Sequence, residues 1–198
     1  MILKSSDQPM RYWNKFTRII YYLLNARNYK YLDFKSAVLF SVRVTGKKYI
    51  TVKRNSMVQR QGWLLAVKID EHEPEIIIEE NCAIGDFSHI VAVRSVHIEK
   101  SVLMANKVYI SDNLHSYEDI SRPVIDQPVV FKAKVRIGSG AWIGENVCII
   151  GASIGKNSVI GANSVVTADI PDYCIAVGCP ARVIKKFDQE LNKWVSVK

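Results

Sequence analysis

The residue with most to offer chemically is His115. An imidazole titrates ordinarily near 6.5, so it can take or give a proton at neutral pH. His115 opens the stretch HSYEDISRPVIDQPVV, in which the pattern on either side lapses. Pro123, Pro128 and mixed charge mark residues 115–130 as a surface loop, and loops held on a rigid scaffold carry function disproportionately. His89 and His97 lie inside the regular pattern, near its corners, and read as structural. Cys82, Cys148, Cys174 and Cys179 show no CxxC pairing and no companion histidines at metal-ligand spacing, so they read as small apolar residues rather than as a metal site.

What positions His115 is a repeat. From residue 78 an aliphatic side chain returns every sixth position: Ile78, Ile84, Ile90, Val96, Val102, Val108 and Leu114. Helices need steps of three and four and simple strands steps of two, so neither explains a strict six. The register resumes at Phe131, Ile137, Ile143 and Ile149, takes one five-residue step to Ile154, and continues to Ile160 and Val166. Glycine follows the aliphatic residue at positions 85, 138, 144, 155 and 161, five of the ten glycines, where a tight corner tolerates little side chain. The pattern predicts an all-β solenoid of short parallel strands, each coil burying its apolar face against its neighbours. Three hexads per triangular turn make a coil of about eighteen residues. Residues 42–186 are assigned to this domain, with the rougher stretch from Val42 to Ile77 supplying one or two further coils.

The flanks differ. Residues 1–41 form a basic, aromatic segment: Lys4, Arg11, Lys15, Arg18, Arg27, Lys30 and Lys35 against Asp7 and Asp33, most of the net +8. Tyr12, Phe16, Ile19, Ile20, Leu23 and Leu24 fall at roughly helical spacing. This predicts a helix or helical pair over Met10 to Tyr31 that covers the open end of the solenoid or, on the sharper reading, docks residues 1–35 on an anionic membrane. Residues 187–198 read as a short helix or extension. Hydrophobic residues make up 48% and charged residues 23%, an ordinary globular balance. No run approaches the roughly 20 apolar residues of a membrane span, and no secretory signal is visible, so a cytoplasmic location is expected. The positive charge suggests an anionic partner, but no nucleic-acid motif accompanies it.

The segments SDNLHSYED, VRIGSGAWIGENVCII, SIGKNSVIGANSVVTADIP and AVGCPARVIKKF resemble the hexapeptide-repeat acyltransferases. They are most similar to sugar O-acetyltransferases of the maltose and galactoside acetyltransferase type, which include enzymes that decorate surface polysaccharides. The resemblance covers about residues 76–187. It implies a left-handed parallel β-helix, a homotrimer with active sites between subunits, acetyl-CoA as donor, a carbohydrate acceptor and no metal. His115 matches the catalytic histidine and would act as general base on an acceptor hydroxyl. A backbone N–H at Gly144 or Glu145 would meet the thioester oxyanion. Trp142 would flank the pantetheine arm, Ala162 and Thr167 would lie near the adenine, and Arg182 and Lys185 would meet the 3′-phosphate. Asp112 and Asn113 would contact the sugar, orient His115 or simply shape the turn. Two departures stand out: the five-residue step to Ile154 falls in the coenzyme-facing stretch, and Arg94 stands where relatives often carry a small polar residue.

Other functions fit parts of this pattern. An acetyltransferase for a small acceptor (an antibiotic, an amino sugar or serine) uses the same machinery. A catalytically inactive scaffold would not need an intact SDNLHSYED. A zinc hydratase on this fold needs three converging histidines, and His89, His97 and His115 lack the spacing.

Overall fold

The computed structural model describes the backbone of residues 8–197 and side chains from Phe16 to Val197. The chain winds into a three-sided prism in which strands of two to five residues stack in parallel, coil upon coil. The first face stacks Tyr31–Leu32, Ile50–Val52, Glu75–Ile78, Ser95–Ile98 and Val135–Ile137, and parallel bridges continue it through Ile154 and Ile170. The second face begins with Ala37–Val38 and Met57–Val58 and rises through Ala83–Ile84, Leu103–Met104, Trp142–Ile143 and Val159–Ile160 to Cys174–Gly178. Arg43–Thr45, Trp63–Ala66, His89–Ala92, Tyr109–Ser111, Cys148–Ile150 and Val165–Val166 make the third.

The core is three vertical rows of aliphatic residues, one behind each face. Val52, Ile78, Ile98, Ile137 and Ile154 form the first row, all fully buried. Ile84, Met104, Ile143 and Ile160 stand in the second, and Leu64, Ile90, Ile110, Ile149 and Val166 in the third. The coil is therefore longer than expected in this region: Ile78 pairs with Ile98, twenty positions on. Two inward positions occur on the same strand, two residues apart, as with the buried Val96 and Ile98. Two extra residues at the corner after the third face shift the six-residue count from one inward row to the other without interrupting it. That is why Val96 stacks on Ile76 and Val135, not on Ile90.

Glycine after the aliphatic residue serves close approach rather than an unusual backbone. A Cβ on Gly138 would lie 2.6 Å from the Lys156 nitrogen of the next coil, and one on Gly144 would lie 2.6 Å from that of Ala162. The left-handed conformation falls two positions later, often on asparagine, as at Asn146, Asn157 and Asn163. The five-residue step is absorbed at Gly151 (φ +55°), on the edge between the third and first faces, beneath the Lys132 side chain.

Several boundaries move. Coils begin at Tyr31 rather than Val42, because Leu32 and Val38 already stand in the inward rows. Leu114 and Phe131 leave the solenoid register: they sit on an antiparallel hairpin, Asn113–His115 against Val129–Phe131. The chain's end is strand, not helix. Ala181–Asp188 and Lys193–Ser196 add two antiparallel strands to the second face, closed by Phe187 against Trp194 at 5.4 Å. All four cysteines are free thiols.

The helix α1, Gln8–Asn25, is followed by a 3-10 turn, Ala26–Asn28, and covers the first coil. Tyr21 is buried there, hydrogen-bonded through its hydroxyl to that of Tyr29 and edge-on to Phe40, while Tyr22 packs on Phe34. The apolar positions expected to face the solenoid point the other way: Phe16, Leu23 and Leu24 are exposed. Lys4 and Asp7, and the side chains of Arg11, Tyr12 and Lys15, lie outside the described residues.

Across the edge between first and second faces, Glu99 ties two coils together. Its carboxylate accepts hydrogen bonds from Arg136 Nη1 (2.8 Å), the Ser139 N–H (2.9 Å) and Ser139 Oγ (2.8 Å). Burial pushes its pKa up, but these donors outweigh burial and bring it down from 4.5 to about 2. A depressed carboxylate stabilises the fold above its unfolded value and loses that contribution as the pH falls through its folded value. Acid unfolding should therefore draw on this group between about pH 4.5 and 2, and Glu99→Gln should flatten that part of the stability curve. Thermal melts of both proteins across this range test it, and parallel curves would remove Glu99 from the account.

Candidate active site

The hairpin emerges from the edge between the third and first faces, where the fourth coil would otherwise turn directly into the fifth. Its root is fastened by Asp112, which is completely buried. One carboxylate oxygen accepts from the N–H groups of Val93 (2.9 Å) and from Asn113 Nδ2 (2.8 Å). The other accepts from the N–H groups of Arg94 (2.7 Å) and Ser95 (2.8 Å). The Asp112 carbonyl receives the Lys132 N–H at 2.8 Å, so one residue clamps both legs of the hairpin to the coil below. Asp112 thus has no face to offer an acceptor. Its role is the turn-shaping one, and the expectation of sugar contact is corrected for it.

Three residues past this clamp, His115 ends its strand opposite Val129, with its side chain exposed. Asn113 is half-buried, opposite Phe131. Beyond His115 the loop is braced internally by Gln127, which is buried. Its amide oxygen accepts the Asp119 N–H (3.2 Å) and its Nε2 donates to the carbonyls of Asp119 (2.8 Å) and Arg122 (3.1 Å). Arg94 supports the hairpin from beneath, its guanidinium 2.6 Å from Asp70 and 4.9 Å from the centre of the Phe131 ring. Neither brace was legible as such: Arg94 stood out only as a departure from relatives, and Gln127 not at all.

The residues matched to coenzyme binding gather elsewhere, along the second face and its edge with the third. Trp142 projects from the second face, half-exposed, with Leu103 below it and Val159 above. Ile175 and then Lys185 continue the same row upward, and Arg182 lies beside Val177 on the added strand. Gly144, Glu145 and Ala162 form successive corners on the neighbouring edge. Thr167 does not join them: it follows the last third-face strand, on the edge that carries the hairpin.

The oxyanion expectation narrows to one residue. The Gly144 N–H donates to the Ile160 carbonyl at 2.9 Å, a rung of the coil ladder, so it is not free to meet an oxyanion. Among the described residues no acceptor lies on the Glu145 N–H, while the Glu145 side chain folds down to accept the Asn106 N–H at 3.1 Å. His89 and His97 sit on strands rather than corners. His89 stacks on Trp63 at 4.3 Å with Tyr109 edge-on, and burial, then the Arg43 charge, lower its pKa. His97 lies on another face, 3.1 Å from Glu79. These histidines do not converge with His115.

Replacing Asp112 with Asn removes acceptor capacity that three backbone amides use, and should cost about 1–3 kcal/mol. Hydrogen exchange should rise first in residues 113–131, and a uniform loss of protection instead would show that the clamp is not local to the hairpin.

Comparison with known proteins bears on this geometry. Residues 134–168 match the family described as the hexapeptide repeat of succinyl-transferase. A protein of Escherichia coli K12 named as an O-acetyl transferase of lipopolysaccharide biosynthesis, WbbJ, is 37% identical over 126 residues, 60% of this chain and 64% of its own length. A protein of Mycobacterium tuberculosis named as an acetyltransferase is 41% identical over 118 residues, covering 59% of this chain and 39% of its own length. The chain thus spans less than two thirds of either relative. Among solved structures, the polysialic-acid-specific acetyltransferase NeuO is 31% identical with a TM-score of 0.61, over 73% of this chain and 65% of that one. AntD, an N-acyltransferase from Bacillus cereus crystallised with dTDP and coenzyme A, has a TM-score of 0.66 over 85% of this chain and 90% of its own, at 16% identity. That last likeness is one of fold, a left-handed parallel β-helix.

Proposed function

We propose that this chain is a hexapeptide-repeat acetyltransferase and that it transfers acetyl from acetyl-CoA to a hydroxyl of a carbohydrate, a surface glycan or its precursor. The observation that carries the reading is an exposed imidazole, His115, three residues from a hairpin root locked by a buried carboxylate. A rigid root holds a general base to a fixed position, which is what proton abstraction from a weakly acidic hydroxyl requires. The E. coli relative, named for O-acetyl transfer in lipopolysaccharide biosynthesis, and the polysialic-acid-specific acetyltransferase support the acceptor class.

In this mechanism the neutral His115 imidazole takes the acceptor hydroxyl's proton as the oxygen attacks the thioester carbonyl. The carbonyl electrons move onto oxygen, and the Glu145 N–H donates to that oxyanion. Collapse of the tetrahedral species breaks the C–S bond, and the departing thiolate recovers the proton from the imidazolium. No covalent enzyme intermediate forms. Trp142 flanks the pantetheine arm, Ala162 lies near the adenine, Arg182 and Lys185 meet the 3′-phosphate, and Asn113 contacts the sugar.

One chain separates these parts. His115 and Thr167 belong to one edge of the prism and Glu145 to the next, a face of roughly 15–20 Å apart. A head-to-tail trimer in which one subunit's hairpin edge meets its neighbour's Glu145 edge closes that gap three times over. A peripheral contact with anionic membrane through residues 1–35 belongs to the same reading and is developed below.

Two experiments test it. Removing the base in His115→Ala should lower turnover by about two to four orders of magnitude while leaving coenzyme A affinity nearly intact by calorimetric titration. Full activity in that variant would refute the assignment. Arg182→Ala with Lys185→Ala should weaken coenzyme A about tenfold or more but leave dephospho-coenzyme A little changed. Equal weakening of both would place the 3′-phosphate elsewhere.

A further inference from the structure

The outward side of α1 is built of the residues a water-facing helix lacks. Phe16 is 58% exposed and Leu23 and Leu24 are each 67% exposed. Ile19 and Ile20 complete the same side at helical spacing and are half-buried. The inward side is the more polar one: Arg18, Tyr21, Tyr22 and Asn25, with Asn25 Nδ2 bonded to the Tyr21 carbonyl and Asn25 Oδ1 accepting from Lys47. Tyr21, Tyr22 and Asn25 all find inward partners, so the apolar stripe is not a core face that failed to find its core. Phe40, 54% exposed, and Phe34, 48% exposed, extend the apolar surface from the coil beneath.

The surroundings of this stripe are cationic. The helix sequence contains no acidic residue. Arg27, Lys30 and Lys35 are exposed just beyond it. Lys30 has Glu75 at 3.5 Å, but no carboxylate pairs with Arg27 or Lys35 among the described residues. An apolar stripe beside a band of basic residues is the composition of a helix that lies in a bilayer interface and is drawn there by anionic headgroups. Pairing the stripe with a second copy of itself would bring two sets of like charges together, which disfavours that occupant.

We propose that the outer face of α1 docks this protein on a bilayer containing anionic lipid, and that the acceptor is accordingly presented from that membrane. The second half rests on the reaction proposed above. Because the inner face of α1 sits on the first coil, docking places the prism with that coil nearest the lipid. His115 follows the fourth strand of the third face, three coil spacings from the first. At about 4.8 Å per coil and a helix diameter of about 10 Å, the imidazole stands roughly 25 Å above the plane of the outer helix face. That height suits a sugar within a short lipid-linked oligosaccharide rather than one attached directly at the headgroup.

The test is flotation of the full chain with vesicles of phosphatidylcholine alone and of phosphatidylcholine with about one third phosphatidylglycerol, at low and high salt. The wild-type protein should float with the anionic vesicles, less with neutral ones, and less at high salt. Leu23→Glu with Leu24→Glu should reduce anionic-vesicle binding at least tenfold with its melting temperature retained, since both side chains already face solvent. A second variant, Arg27→Glu with Lys35→Glu, should lose the preference for anionic vesicles while leaving the apolar stripe intact. Failure of the wild type to float would overturn the proposal, as would equal flotation of the Leu23/Leu24 variant. Loss of flotation accompanied by a change in molecular mass would overturn it too, by giving the stripe to a second copy. Coenzyme A titration of the same samples separates the two readings: flotation without coenzyme binding would leave docking standing and remove the reaction, and the reverse would do the opposite.

Discussion

Backbone must lie on backbone at the spacing of a hydrogen-bond ladder, about 4.8 Å, at every level of the prism, and the remaining features follow from that constraint. It forbids a Cβ at Gly138, Gly144 and Gly155, where the next coil's main chain passes within bonding reach. Inward side chains must also repeat in kind, so Ile78, Ile98, Ile137 and Ile154 stand directly above one another. Polar backbone groups within the stack become fully committed, which is why the Gly144 N–H is unavailable for chemistry, although among the described residues no acceptor lies on its neighbour's. Freedom survives only at the edges and ends. The inserted hairpin, the Asp70 loop and the shortened turn at Gly151 all fall on one edge, and the helix falls at one end.

A stack this rigid gives a catalytic group something to be fixed to, provided the insertion is fastened where it leaves. Asp112 does this with a buried carboxylate, a costly group unless every lone pair finds a donor. Three consecutive amides, Val93, Arg94 and Ser95, supply those donors because the extra residues at the corner below turn their N–H groups toward it. The two-residue lengthening of that coil, which only complicates the repeat when viewed as sequence, is thus part of how His115 is held. Arg94 contributes twice, through its N–H to Asp112 and through its guanidinium beneath Phe131.

Much of the fold was legible in the chain because the inward rows are chemically uniform and regularly spaced. The true coil length was not, since two inward positions per strand let a strict six run on across a twenty-residue turn. Leu114 and Phe131 continued the count by their apolar character alone, yet they pair with the hairpin. His115 could be singled out from the break in the repeat and the motif around it. The fate of Asp112 could not: its environment is made by residues seventeen to nineteen positions earlier, and spacing alone does not say which corner lies under which. The same ignorance of edges hid the separation of Thr167 from Ala162, five residues apart in sequence but on different edges of the prism. α1 shows the complementary limit, because helical periodicity identifies an apolar side without saying whether it turns toward protein or away from it.

The proposed site is divided between two edges of the prism, so its parts can vary separately. The residues matched to coenzyme binding by resemblance, Trp142 through Lys185, lie in the ladder of the second face, where side chains project from strands whose register is fixed by their neighbours. On the proposed reading acceptor recognition falls to the hairpin, whose root is held by Asp112 and whose loop is braced by Gln127. In that reading the donor site is written into the repeat and the acceptor site outside it, so the two can change independently. This is the physical reason the family resemblance speaks firmly about the acyl donor and only by class about the sugar. An outward apolar helix at the far end adds a third independent part. Under the proposed docking it bears on where the protein sits rather than on either substrate, and no coil need be altered to gain or lose it.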